Sequence, residues 1–271
     1  MSLEYQCPLC NLALLKADST LRCANNHSFD FAKEGYVNLL PVQQKNSKQP
    51  GDSLEMVQAR RAFLERSYYR FLQQSLSDIV SNISANTVID LGCGEGFYTQ
   101  AIASKTNAIV YGVDISKSAV KYAAKRYPNC QFSVASISQA PFKNQFADVL
   151  VSVFAPLFEK ELERLANQNA TLVVASPGPC HLKELKSYIY SEVNEHTEIA
   201  IPKGFQKSEQ ILLTEKVTLG FADIKNLIMM TPFAWKFRPE HWAALEEKGE
   251  HIVTLSFYIT QFTKIDNDVT L

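Results

Sequence analysis

"VIDLGCGEGFYTQ", residues 88–100, decides how the rest of this chain is read. An apolar run ends in Asp90, and Gly92, Gly94 and Gly96 follow within five positions, although the whole chain has only ten glycines. Glycines at a strand-to-helix turn let a ligand approach the backbone, because no Cβ intervenes. The dinucleotide fingerprint is spaced G-x-G-x-x-G and seats a pyrophosphate on a helix N-terminus. Here the spacing is G-x-G-x-G, with a carboxylate two residues ahead of the first glycine. That carboxylate would repel a pyrophosphate and suits a cationic ligand.

Working outward, residues 87 to 176 alternate short apolar runs with helical patterns. "TVIDL", "AIVYGV", "QFSVA", "FADVLVSV" and "TLVVAS" read as buried strands, and "SKSAVKYAAKRYP" as a helix capped by Ser116. Alternation of this kind predicts βαβ units and a mostly parallel sheet. Runs near 210–219 and 251–262 predict an antiparallel hairpin at the sheet edge. The second strand ends in "YGVDIS", placing Asp114 where an acidic side chain can accept hydrogen bonds from both hydroxyls of a ribose. A ligand with a cationic group and a ribose is S-adenosylmethionine. The pattern resembles the seven-stranded, S-adenosylmethionine-dependent methyltransferase fold, an α/β, Rossmann-like architecture. In that fold "VASISQAPF" falls where the adenine lies, near Ala135 and Ser136, and "VFAP" (153–156) where the methyl-acceptor pocket begins.

The N-terminus carries a second pattern. Cys7, Cys10, Cys23 and His27 are spaced C-x2-C-x12-C-x3-H. Two close pairs of soft or borderline ligands across a short loop match a closed tetrahedral zinc site, and the ion would order a segment too small to fold unaided. Cys93, Cys130 and Cys180 are isolated and read as structural thiols. Residues 1–40 are therefore expected to be a zinc-binding module, residues 41–84 a linker and helices, and residues 85–271 the methyltransferase domain. In "DSLE", Asp52 is the expected N-cap of the first helix, with Glu55 completing a capping box. A second helix is expected near 69–84.

Composition excludes several classes. Apolar residues make up 46% of the chain and charged residues 20%, as in ordinary globular proteins. No apolar run approaches membrane-spanning length, and no signal-peptide pattern begins the chain, so a cytoplasmic enzyme without disulfides is expected. A net charge of −1 argues against a coat of basic residues for non-specific nucleic-acid binding. Residues 40–70 nonetheless hold Lys45, Lys48, Arg60, Arg61, Arg66 and Arg70 against three acids, a candidate RNA surface.

A zinc module ahead of a methyltransferase domain suggests a macromolecular substrate. "CANNHSFDFAKEGYVNLLP", "PGDSLEMVQARRAFL", "PGPCHLKELK" and "MTPFAWKFRPE" resemble the bacterial 23S ribosomal RNA guanine-N1 methyltransferases of the RlmA type. The resemblance implies methyl transfer to N1 of a guanine in a hairpin loop of 23S rRNA, by a homodimer. It implies cofactor contacts at Tyr69, at Glu95, Gly96 and Phe97, and at His181, and zinc on the four ligands above. No catalytic residue is implied. Phe233 and Trp235 are candidates to stack on the guanine. Two other readings stay open from the residues: a small-molecule methyltransferase of the same fold, and a zinc-bearing RNA adaptor that does not catalyse.

Overall fold

A computed structural model describes residues 4–44 and 51–265. Three short strands, β1 (Leu15–Ala17), β2 (Thr20–Arg22) and β3 (Ser28–Asp30), form an antiparallel sheet around the cysteine pairs. Then come β4 (Val37–Asn38), helices α1 (Leu54–Glu65) and α2 (Arg70–Ser81), β5 (Thr87–Leu91), α3 (Phe97–Ala103), β6 (Ile109–Asp114), α4 (Lys117–Arg126), β7 (Gln131–Val134) and β8 (Ala147–Val153). The chain continues through α5 (Glu159–Leu165), β9 (Ala166–Pro177), α6 (Lys183–Lys186), β10 (Phe205–Gly220), α7 (Phe221–Met229), α8 (Pro239–Lys248) and β11 (Glu250–Lys264).

The main sheet runs β10-β11-β9-β8-β5-β6-β7-β4. Strands β5 to β9 pair in parallel, with α3, α4 and α5 in the β5–β6, β6–β7 and β8–β9 connections and a helix-free loop between β7 and β8. The β10–β11 hairpin is antiparallel, and β11 lies between β9 and the edge strand β10. Seven strands follow the expectation, and the eighth, β4, is an addition from the N-terminal segment. It pairs in parallel with β7 through Val37↔Ser133 and Asn38↔Val134. Order reverses between β5, which opens the series, and its neighbours β6 and β8. Ligands in such sheets bind at this crevice, beyond the carboxyl ends of the strands.

The zinc segment is not a bead apart. Tyr5, Cys7, Leu14, Leu21 and Cys23 are buried in one apolar cluster with Ile89, Tyr111 and Phe142 of the sheet. Tyr5 stacks on Phe142 at 5.2 Å between ring centroids, and the Gln6 amide donates to the Pro141 carbonyl. The opposite face of the sheet is covered by α1, α2 and α7 through Phe63, Leu72, Leu76, Leu227 and Ile228.

One expected cap is corrected. Ser53, not Asp52, is the N-cap of α1: its backbone is extended (φ −64°, ψ 161°) and its hydroxyl accepts from the Met56 amide. Asp52 is engaged instead by the guanidinium of Arg60, two turns along the helix. Ser116 caps α4 as expected. No helix among the described residues is long and apolar enough to cross a membrane.

Candidate active site and metal centre

At the carboxyl ends of the parallel strands lies a cavity of about 1000 Å³. Of the nine cofactor-binding candidates, Tyr69, Asp90, Gly92, Gly94, Glu95, Phe97, Asp114 and His181 all line it. Gly96 does not. It sits at the N-terminus of α3 with φ +80°, and an added Cβ would press within 2.9 Å of Phe132 and 3.1 Å of Tyr127. Gly96 is therefore required for the turn and for helix–sheet packing. Gly92 has a comparable constraint facing the cavity, where a Cβ would fall 2.6 Å from that of Ala155.

Asp90 is 1% exposed, and its carboxylate accepts from the Thr99 hydroxyl. Burial pushes its pKa up to about 7, with the Asp114 charge adding to the rise against the Thr99 bond. Asp114 ends β6 and holds two backbone amides, Gly94 N at 2.9 Å and Ser116 N at 2.7 Å. The sequence pointed only to a ribose contact; the structure adds that this carboxylate fastens the glycine loop. Its pKa is also raised by burial, although both amide bonds oppose the shift. Neither oxygen of the buried Glu95 has a hydrogen-bond partner, and Arg60 approaches only to 3.6 Å. Burial raises the Glu95 carboxyl despite that guanidinium. Three carboxylates thus stay partly undercompensated in one apolar-walled space, a condition that a cationic ligand relieves.

Tyr69 is 3% exposed and packs edge-on against Phe63 and Phe257. His181 lies 4.7 Å from Phe257, and its Nδ1 accepts from the Ser256 amide. Burial, then the neighbouring Lys186 and His196, pulls its pKa down to about 3, so the ring is neutral. Phe154, directly after β8, has φ +56° and is 45% exposed while lining the cavity. A bulky residue held in the left-handed region is strained, and such strain clusters at functional sites. Phe233 also lines the cavity; Trp235 does not, and is 78% exposed. Ser136 and Ser138 reach the cavity at the expected adenine position, whereas Ala135 is packed in the core.

Sequence reasoning missed three occupants of this space. Arg60 projects in from α1, bonded to Asp52 and close to Gly94. Lys186 and His196 touch each other in the wall that follows β9. The helical charge pattern marked Arg60 only as one of a basic stretch. Nothing local distinguished Lys186 or His196.

The basic stretch is largely occupied. Arg61 lies over the Tyr122 ring and pairs with Glu65, and Arg66 pairs with Asp223. Lys45 and Lys48 lie outside the described residues.

At the N-terminus, Cys7, Cys10, Cys23 and His27 place one donor atom each within 4.8 Å of one another. Cys7 Sγ is 3.4 Å and Cys23 Sγ 3.5 Å from His27 Nδ1, and Cys10 Sγ is 3.7 Å from Cys23 Sγ. Tetrahedral zinc with bonds of about 2.3 Å to sulfur sets an S···S edge of roughly 3.8 Å. The donor set fits. Two turns shape it: Asn11 and Asn26 adopt positive φ, with Asn11 N donating to Cys7 O and Asn26 N to Cys23 O.

Comparison with known proteins places both features. Residues 5–48 match the zinc-ribbon family model described as RlmA, N-terminal, and residues 83–231 match a methyltransferase domain model. A Streptomyces fradiae protein named 23S rRNA (guanine(748)-N(1))-methyltransferase is 31% identical, covering 94% of this chain and 95% of its own. YxjB of Bacillus subtilis (strain 168) is 29% identical over 93% and 94%. Among solved structures, YcgJ from Bacillus subtilis superposes with a TM-score of 0.46 at 16% identity, over 71% of this chain and 99% of its own. The cofactors are S-adenosylmethionine, for the domain built around Asp90 and the glycine loop, and zinc, for the ribbon. With both modules in order and a relative above 30% identity over nearly its full length, this chain belongs to the RlmA-type family of 23S rRNA (guanine-N1)-methyltransferases.

Proposed function

We propose that this chain transfers the methyl group of S-adenosylmethionine to N1 of a guanine in a hairpin loop of 23S rRNA. The observation that carries this is the docking of the four-ligand zinc segment, through β4 and Tyr5, onto the sheet whose strand ends form the acidic cavity. A small-molecule enzyme has no evident use for that ribbon, and a non-catalytic adaptor none for Asp90, Glu95 and Asp114.

The cofactor supplies a methyl group activated on a sulfonium, so the protein's main task is to hold the nucleophile in line with it. In this reading Asp90, Glu95 and Asp114 bind the cationic and ribosyl parts, with Tyr69, Phe97 and His181 beside them. Phe154 and Phe233 present aromatic faces to a guanine that has left its stack, which a loop yields at lower cost than a duplex. Cys7, Cys10, Cys23 and His27 hold zinc and keep the ribbon in position to meet the RNA. A cytoplasmic homodimer completes the reading; it is supported by the resemblance of residues 23–41 and 177–186 to RlmA-type enzymes.

Primer extension across 23S rRNA from cells with and without this protein tests it. Methyl on N1 blocks Watson–Crick pairing, so reverse transcriptase should stop one nucleotide before a single guanine only when the protein is present. Identical traces would refute the reading.

A further inference from the structure

Lys186 is a buried cation that the binding account leaves unused. It ends α6 and is 8% exposed. Among the described residues no carboxylate pairs with it; its Nζ touches His196 Nε2, and both residues line the cavity that holds Phe154 and His181. Two N–H groups cannot point at each other at contact distance, so only one proton lies in the contact between Nζ and Nε2. One arrangement leaves a lone pair free for the cavity: a neutral Lys186 amine donating one N–H to a bare His196 Nε2.

We propose that Lys186 is the catalytic proton acceptor for guanine N1 and that His196 is its positioning residue. This rests on the guanine-N1 reading above. The N1–H bond breaks and its proton passes to the Lys186 lone pair. The nitrogen electron pair forms the new N–CH3 bond, and the S–CH3 bonding pair returns to sulfur. One positive charge leaves the sulfonium and one appears on Lys186, so charge balances. The ammonium so formed keeps its hydrogen bond to the neutral imidazole.

Burial is consistent with this: it lowers the Lys186 pKa, and burial and then Lys186 lower that of His196. The titratable groups facing Lys186 are His181, itself neutral, and His196. A cationic cofactor in the same cavity further disfavours the ammonium before transfer. Lysines tuned downward by burial serve as general bases in this way.

The test uses the full chain, S-adenosylmethionine and a transcript of the 23S hairpin. Lys186→Met should leave calorimetric affinity for the cofactor and filter-binding affinity for the hairpin unchanged, while the single-turnover rate falls by about 10²–10³-fold. The deficit should shrink as pH rises toward the pKa of guanine N1 itself, and added ethylamine should restore part of the rate to Lys186→Ala. His196→Leu removes the acceptor that stabilises the ammonium, so the acid limb of the rate profile should move to lower pH. Without any cofactor, ¹⁵N spectra of histidine should show His196 Nε2 unprotonated between pH 7 and 9, and its resonance should shift in Lys186→Met. Should that variant not fold, the His196→Leu profile and the wild-type ¹⁵N spectrum still decide. A wild-type rate in Lys186→Met, a deficit independent of pH, lost cofactor affinity, or a protonated Nε2 would each overturn the assignment. Wild-type protein that methylates no guanine N1 in the transcript would overturn the guanine-N1 reading, and this inference with it.

Discussion

The zinc ribbon and the cavity are assembled in opposite ways. Four zinc donors come from twenty-one consecutive residues and meet through two tight turns at Asn11 and Asn26. The cavity draws Arg60, Asp90, Asp114, Phe154, His181, Lys186, His196 and Phe233 from segments spread over more than half the chain. In the first, local spacing sets the geometry. In the second, the sheet order sets it, and only the residues at the β5 and β6 ends carry a local signature. The difference separates what each region depends on: the ribbon on an ion, the cavity on the packing of strands.

The sharpest way to break this contrast is to remove the ion. Cys23→Ser should lose zinc and with it the apparent binding energy of roughly 10 kcal/mol or more that structural zinc lends to small modules. Because Tyr5, Leu21 and Cys23 share a core with Tyr111 and Phe142, the whole chain should also melt at a lower temperature. Metal analysis and a thermal melt check both. An unchanged melting temperature would mean the ribbon is a separate unit.

Next in size is Asp114→Ala. It removes charge-assisted hydrogen bonds and should weaken S-adenosylmethionine binding by roughly 1.5 to 3 kcal/mol. The structure adds that the Gly94 and Ser116 amides lose their acceptor. Asp114→Asn, which keeps one acceptor, should therefore lose less in calorimetry than Asp114→Ala.

This pair of variants marks how much was legible. The strands themselves, the edge hairpin, Ser116 as a cap and the acid at the β6 tip follow from hydrophobic period and turn chemistry, which are local. The double use of Asp114, the strain at Phe154 and the entry of Arg60 arise where distant segments meet. The N-cap of α1 was misplaced by one residue for the same reason: Asp52 and Ser53 are both good caps, and Arg60 claims the aspartate. Gly96 reads as a loop glycine in sequence, and only Phe132 and Tyr127 show that it packs.

Asp90 gives a pH test. With its carboxyl held up to about 7 by burial, the anion needed by a cationic ligand is depleted below neutrality. Cofactor affinity should fall roughly tenfold one pH unit below that value. Asp90→Asn should bind weakly and lose this pH dependence. For stability the sign is opposite: the native pKa lies above the unfolded one, so stability falls as pH rises from about 4 to 7. Ligand-free Asp90→Asn should therefore melt higher than wild type at pH 8.

Arg60 and Arg61 are neighbours with different surroundings, and their variants should separate by smaller amounts. If the guanidinium beside Gly94 takes the methionine carboxylate, Arg60→Ala should weaken cofactor binding by about tenfold. Arg61→Ala should leave cofactor binding unchanged and cost at most about 1 kcal/mol of stability from its Glu65 and Tyr122 contacts. If Arg61 also meets a phosphate, the salt slope of hairpin binding should drop by a little under one unit.

One chain couples a zinc ribbon to an acidic cofactor cavity, and methylation of guanine N1 is what this coupling serves. Purified protein, S-adenosylmethionine carrying a labelled methyl group and a 23S hairpin transcript test it directly, with the digested nucleosides resolved by mass spectrometry. The label should appear in 1-methylguanosine alone, at no more than about one methyl per transcript, and should fall sharply with Asp114→Ala at limiting cofactor. Label in another nucleoside, or none in RNA while the cofactor still binds, would contradict the account.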